Sequence, residues 1–172
     1  MKPVQSFISR IMSTLQNIWG NKQGEAKPLQ VSAQPTPTPP PAQAFTQGFN
    51  NYGSVPAANY ANEFAASAAA NPLPDPYLPA VLAIMETGGG RNMAYENNLT
   101  NWGMQDMPSI PYMIDRMYSG IGSRFPYYQD YMKSGNLQDF FNSYTPPGPE
   151  HGNPTMDELL QRYNAIRQLF PQ

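Results

Sequence analysis

No cysteine occurs in the 172 residues, and histidine occurs once. The first absence removes disulfide staples and thiolate metal sites together, and is compatible with either redox compartment. The second leaves a Ser–His–Asp mechanism with one candidate, His151, in the run Pro146-Pro-Gly-Pro-Glu-His-Gly-Asn-Pro154. A catalytic base has to be held by its neighbours, and so Pro/Gly-rich a loop gives no reason to expect that. Zinc with a single histidine is equally unpromising, so neither a metal nor an organic cofactor is expected. Positive charge is scarce as well: ten Lys and Arg face twelve Asp and Glu, for a net charge of −2. A nucleic-acid-binding domain normally carries a basic face that neutralises phosphates, so nucleic acid is not an expected partner.

Long apolar runs are also missing. Val4, Phe7, Ile8, Ile11, Leu15, Ile18 and Trp19 recur at helical spacing, but Ser6, Ser9, Ser13, Gln16 and Asn17 break them up. Residues 1–22 therefore read as an amphipathic helix, neither a membrane span nor a secretory signal core. Such a helix suits docking on a membrane surface or a virion. Packing on the domain is the plainer alternative, and the long linker that follows argues against it.

What the chain has in excess is proline, 20 residues, and glycine, 13. Residues 23–44 form a proline-rich linker around Gln34-Pro-Thr-Pro-Thr-Pro-Pro-Pro-Ala42, a composition that favours disorder and extended polyproline II spacers. Foldable sequence resumes near Phe45. Residues 56–70 are alanine-rich and helical in pattern, with Tyr60 and Phe64 on one face. Asn71-Pro-Leu-Pro-Asp-Pro76 forces a turn. Asp75 as N-cap and Pro76 at the first position then start a helix over residues 77–86, with Leu78, Val81, Leu82 and Met85 inward. Further helices are expected over residues 109–118, 126–133 and 136–144. The last opens on the capping box Thr155-Met-Asp-Glu158. Sustained strict alternation is absent, so residues 45–172 are expected to form one small, mainly α domain.

Chemistry concentrates around Leu82-Ala-Ile-Met-Glu86-Thr-Gly-Gly-Gly-Arg91. An apolar helix ends on one acidic residue and then on glycines. Partial dehydration raises a carboxyl pKa, which suits a general acid near neutral pH. A glycine-capped helix end with no function is the plain alternative. Close behind come Asn97, Asn98, Asn101 and Trp102, and later Tyr144 and Tyr163. Amides that hydrogen-bond hydroxyl and acetamido groups, with aromatic faces for pyranose rings, are typical sugar-binding chemistry. The competing view makes these asparagines turn-formers and Trp102 a core residue. For a second carboxylate, Glu96 and Asp106 are nearest in sequence, neither in a convincing setting. Without one, the substrate's N-acetyl group or its C6 hydroxyl would replace the missing nucleophile.

The alanine-rich helix, the proline turn and Leu78-Pro-Ala-Val-Leu-Ala-Ile-Met-Glu86-Thr-Gly together resemble the start of lysozyme-like peptidoglycan hydrolases. Soluble lytic transglycosylases, goose-type lysozymes and bacterial endo-β-N-acetylglucosaminidases share that arrangement. Asn97-Asn-Leu-Thr-Asn-Trp-Gly-Met104 is similar to the glucosaminidases' asparagine loop, with Thr100-Asn101 inserted. Tyr144-Thr-Pro-Pro, leading to the last helix, is similar to their late tyrosine. The transglycosylase Tyr-Asn-Xaa-Gly motif has no clean match, since Tyr163-Asn-Ala-Ile166 lacks the glycine.

Over roughly residues 57–170 the resemblance implies a lysozyme-like fold and cleavage of the β-1,4 glycan strands of bacterial cell wall. It implies Glu86 as general acid, Tyr144 as its helper, and Asn97, Asn98 and Trp102 in the substrate groove. A monomer acting outside the cytoplasm, on a cell surface or a virion, is the matching expectation. Hydrolysis and lytic transglycosylation both remain open, as does the bond cut. Rival expectations are a sugar-binding module without turnover and a structural protein whose N-terminal helix carries the function.

Overall fold

A computed structural model describes residues 38–148 and 153–172. The expected helix over residues 1–22 and all of the linker before residue 38 lie outside the described residues, as does His151. The described residues are mainly helical and contain no strand. The α-helices are α1 (Ala42–Tyr52), α2 (Ala61–Ala70), α3 (Leu78–Thr87), α4 (Ile110–Ser119), α5 (Gln129–Ser134), α6 (Leu137–Tyr144) and α7 (Met156–Arg167). Short 3-10 turns at Pro56–Tyr60, Trp102–Met104 and Pro126–Tyr128 and a π turn at Gly120–Arg124 complete the order.

Helix α3 is the axis of the core. Every residue from Leu78 to Ile84 is buried, so the inward face expected from the sequence extends around the whole helix. The helix packs on α4 and antiparallel to α7. Its start differs from the expected N-cap. Asp75 accepts a hydrogen bond from the Tyr77 backbone N–H at 2.9 Å, but Tyr77 is the capping position and Pro79 the proline of the first turn. The remaining capacity of Asp75 goes to α7. The Tyr163 hydroxyl donates to it at 2.5 Å and the Arg167 Nε at 2.9 Å. The Arg167 guanidinium also lies 4.4 Å from the centre of the Tyr77 ring. One carboxylate therefore ties the first turn of α3 to the end of α7.

Two aromatic clusters flank this axis. Phe45, Phe49, Phe64, Tyr77 and Phe170 meet around the start of α3, with ring centres 5.0–5.6 Å apart. Ordered structure thus begins before the expected residue 45: α1 opens at Ala42, and its Ala44, Phe45 and Phe49 are buried. The second cluster gathers Trp102, Phe125, Tyr127, Tyr128, Phe140 and Tyr144. It lies toward the other end of α3, where Glu86 stands.

Candidate active site

Helix α3 ends on three glycines with left-handed or otherwise positive φ, Gly88 at 63°, Gly89 at 70° and Gly90 at 92°. Gly88 and Gly89 return their N–H groups to the Ile84 and Ala83 carbonyls, closing the last turn. At Gly90 space is equally restrictive, since a Cβ there would stand 2.7 Å from Leu99 Cδ2. Buried Thr87 then staples the following loop to the helix. Its hydroxyl donates to the Leu99 carbonyl at 2.6 Å and accepts from the Gly90 N–H at 2.8 Å. The asparagine loop is thereby held against the end of α3, beside Glu86.

Glu86 stands where the buried helix reaches water. Its side chain is exposed, yet protein crowds it on the remaining sides, and the lost hydration pushes its pKa from 4.5 up to about 7. The Arg162 guanidinium of α7 opposes the rise without cancelling it. Among the described residues no donor hydrogen-bonds to Glu86, and no second carboxylate is near enough to influence its titration. Glu96 and Asp106 are both exposed, and Asp106 is occupied in closing the loop, accepting from the Glu96 N–H at 2.7 Å.

Tyr144, at the end of α6, shares this neighbourhood. Burial raises its phenol well above 10, and the Glu86 carboxylate adds to the rise. Its hydroxyl donates to the Thr100 carbonyl at 3.4 Å, and its ring lies 5.9 Å from Trp102 and 5.2 Å from Phe140. Thr100, one of the two inserted loop residues, therefore supplies the anchor for the tyrosine. The Thr100 hydroxyl is fixed in turn by the Met117 sulfur at 3.2 Å.

The structure brings Glu86, Tyr144 and Trp102 together and sorts the other expected residues differently. Asn98 is fully buried, at 0% exposure, and its amide is spent on the loop. It donates to the Trp102 and Gln105 carbonyls at 2.8 and 2.9 Å and accepts from the Trp102 N–H at 2.9 Å. The structure uses it as a loop scaffold, with no amide atom left over for a groove. Asn97 and Asn101 adopt the left-handed conformation, φ 56° and 52°, which asparagine tolerates better than most residues. Asn97 donates to the Met107 carbonyl and Asn101 accepts from the Ala94 N–H. Both are turn-formers, and both keep partial exposure.

Tyr163 is 1% exposed and its hydroxyl is bonded to Asp75, so the structure engages it at the start of α3, away from the Glu86 end.

Trp102 is 9% exposed, so its ring supports a wall more than it forms one. Around it lie residues that sequence reasoning passed over. Phe125 and Tyr127 are half-exposed and stack at 5.3 Å with planes 14° apart, and Phe125 lies 6.2 Å from Trp102. The π turn makes this possible: a Cβ on Gly120 would meet the Phe125 ring at 2.7 Å. The run Phe125-Pro-Tyr-Tyr128 was the available signal, hidden by its resemblance to an ordinary helix start. Arg162 had no signal beyond its place in the last helix. No family model, curated protein or solved structure matches the chain.

Proposed function

We propose that the protein is a glycosidase that cleaves the β-1,4 glycan strands of bacterial cell wall, with Glu86 as general acid. The observation that carries this is the carboxyl group itself. It is open to water, receives no hydrogen bond among the described residues, and has its pKa raised to about 7 by lost hydration. A group in that state is half protonated at neutral pH and can deliver a proton to a leaving glycosidic oxygen. The partly exposed residues Phe125 and Tyr127, linked to Tyr144 through Trp102, offer aromatic surface for pyranose rings. The resemblance of Leu78–Gly88 and the asparagine loop to lysozyme-like hydrolases points the same way.

With no second carboxylate coupled to Glu86 among the described residues, the reading favours help from the substrate. As the leaving oxygen takes the proton, its bond to the anomeric carbon breaks. The sugar's N-acetyl oxygen would close an oxazolinium ion that water then opens, or its C6 hydroxyl would attack that carbon and give up its proton to the Glu86 carboxylate. Tyr144 would steady that step through its fixed hydroxyl. The chain would work outside the cytoplasm on a cell surface or virion, with residues 1–22 as its address. Among the described residues no helix is long and apolar enough to cross a membrane.

A zymogram on purified wall, wild type against Glu86→Gln, tests the proposal. Clearing by the wild type and none by the variant is expected. That no second carboxylate among the described residues acts on Glu86 also favours a second reading, a sugar-binding module without turnover. That reading predicts no clearing by either protein, with both retained on the wall.

A further inference from the structure

Residues 42–56 precede the stretch that resembles the lysozyme-like hydrolases, yet the chain folds them onto the end of α3. After α1 ends at Tyr52, residues 54–57 cross the glycines that follow Glu86. The Ala57 N–H donates to the Gly89 carbonyl at 3.0 Å. A Cβ on Gly89 would stand 2.8 Å from Val55, and one on Gly90 3.3 Å from Pro56, so the two segments are in close contact. Arg91, the first residue after the glycines, clasps the same segment. Its Nη2 donates to the Ser54 carbonyl at 2.8 Å, and its guanidinium lies 5.6 Å from the centre of the Tyr52 ring. Gly89 ties this clasp to the acid. Its carbonyl accepts from Ala57, while its N–H donates to the Ala83 carbonyl at 2.9 Å and closes the last turn of α3, in which Glu86 stands. A closed turn keeps the Glu86 carboxyl group crowded by protein, and a frayed one returns it to water.

We propose that Arg91 is a positioning residue for Glu86: by clasping Ser54 and Tyr52 it holds residues 54–57 on the glycine cap and keeps the last turn of α3 closed around the acid. This role rests on the reading of Glu86 as the general acid. Arg91 acts through Gly89 and the turn that Gly89 closes, and touches no reacting atom. The groups coupled to Glu86 by charge are Arg162 of α7 and Tyr144 of α6, and neither bonds to Arg91. Loss of the Arg91 charge by itself raises the Glu86 pKa, whereas opening the turn lowers it. The direction of the change therefore identifies its cause.

The test follows the Glu86 carboxyl carbon by NMR titration and, in parallel, the pH–rate profile of wall cleavage. Wild type, Arg91→Gln, Arg91→Lys and Phe170→Ala are compared, with a thermal melt for each. Arg91→Gln is expected to lower the midpoint of Glu86 from about 7 toward 4.5. A fall of about one pH unit cuts the protonated fraction at neutral pH about fivefold, and the rate there with it. Arg91→Lys can still donate to Ser54 and shows a smaller fall. Phe170→Ala loosens the opposite end of α3 and leaves the midpoint in place despite its lower melting temperature. A midpoint unmoved or raised in Arg91→Gln overturns the role while leaving the glycosidase intact. So does an equal fall in Phe170→Ala, which reports general loosening. If Arg91→Gln does not fold, Arg91→Lys decides, and an unmoved midpoint there overturns the role. The expected fall in a protein whose wild type clears no wall sustains the clasp and removes the glycosidase.

Discussion

Glu86 costs stability in its ionised form. Its folded pKa of about 7 lies above the ordinary 4.5, so stability is highest below about 4.5 and is lost as pH rises through about 7. Because the side chain is exposed, solvent screening reduces the effect to about 1 kcal/mol. Glu86→Gln removes that dependence. Its melting temperature is expected to exceed the wild type's at pH 8 and to match it near pH 4, as thermal scans across pH would show. Asn98 makes the opposite case, a side chain whose whole hydrogen-bonding capacity supports the backbone. Asn98→Ala leaves buried carbonyls and an N–H without partners and costs about 3 kcal/mol, measured by denaturant unfolding. Asn98→Asp does not rescue it, because a carboxylate cannot donate to the Trp102 and Gln105 carbonyls. Loop asparagine is a good sequence signal for polarity and a poor one for direction. Asn97, Asn98 and Asn101 were legible as a cluster, but φ and burial decide which of them faces solvent.

Among the elements, legibility followed the strength of local chemistry. The capping box of α7 is realised as read, with Thr155 and Glu158 bonded reciprocally. Ser109 caps α4 by accepting from the Tyr112 N–H, and Gly135 at φ 67° separates α5 from α6. At the start of α3 the aspartate was visible but its wider role was not, because Tyr163 and Arg167 arrive from 88 and 92 residues away. The π turn after α4 was invisible, since Gly120-Ile-Gly-Ser-Arg124 carries no period of its own. It exists where the Phe125 ring closes over Gly120. At the other end of the site, Gly90 is the element that sets the loop against α3. Gly90→Ala combines an unfavourable φ of 92° with a Cβ 2.7 Å from Leu99, and is expected to cost about 2–4 kcal/mol. Because the displaced loop carries Thr100, the proposed wall cleavage is expected to fall with it, which a thermal melt run beside a clearing assay would register.

Across the whole molecule, a central buried helix is held at its start by an ion pair and an aromatic cluster, and exposes its carboxyl group at its end. Phe170 closes the first cluster, packing on Phe49 and Tyr77 over Gly48, with Asn51 donating to the Leu169 carbonyl at 2.7 Å. Phe170→Ala is expected to cost about 3 kcal/mol by chemical denaturation while leaving the pH profile of any activity in place. The mainly helical class was readable from periodicity. The joining of α1 to the chain's last residues was not, because no local pattern announces a contact between Phe49 and Phe170. Likewise the carboxyl–glycine end of α3 was visible, but not that no other carboxylate among the described residues acts on Glu86, which depends on the fold around it. The proposed chemistry therefore turns on Glu86. The most direct measurement is the pH–rate profile of wall cleavage, followed by mass spectrometry of released muropeptides. A single proton-dependent fall centred near pH 7, absent with the residue-free baseline of Glu86→Gln, is the predicted result. Cleavage undiminished in Glu86→Gln, or a rate that rises through pH 7 as the carboxyl group ionises, would contradict it.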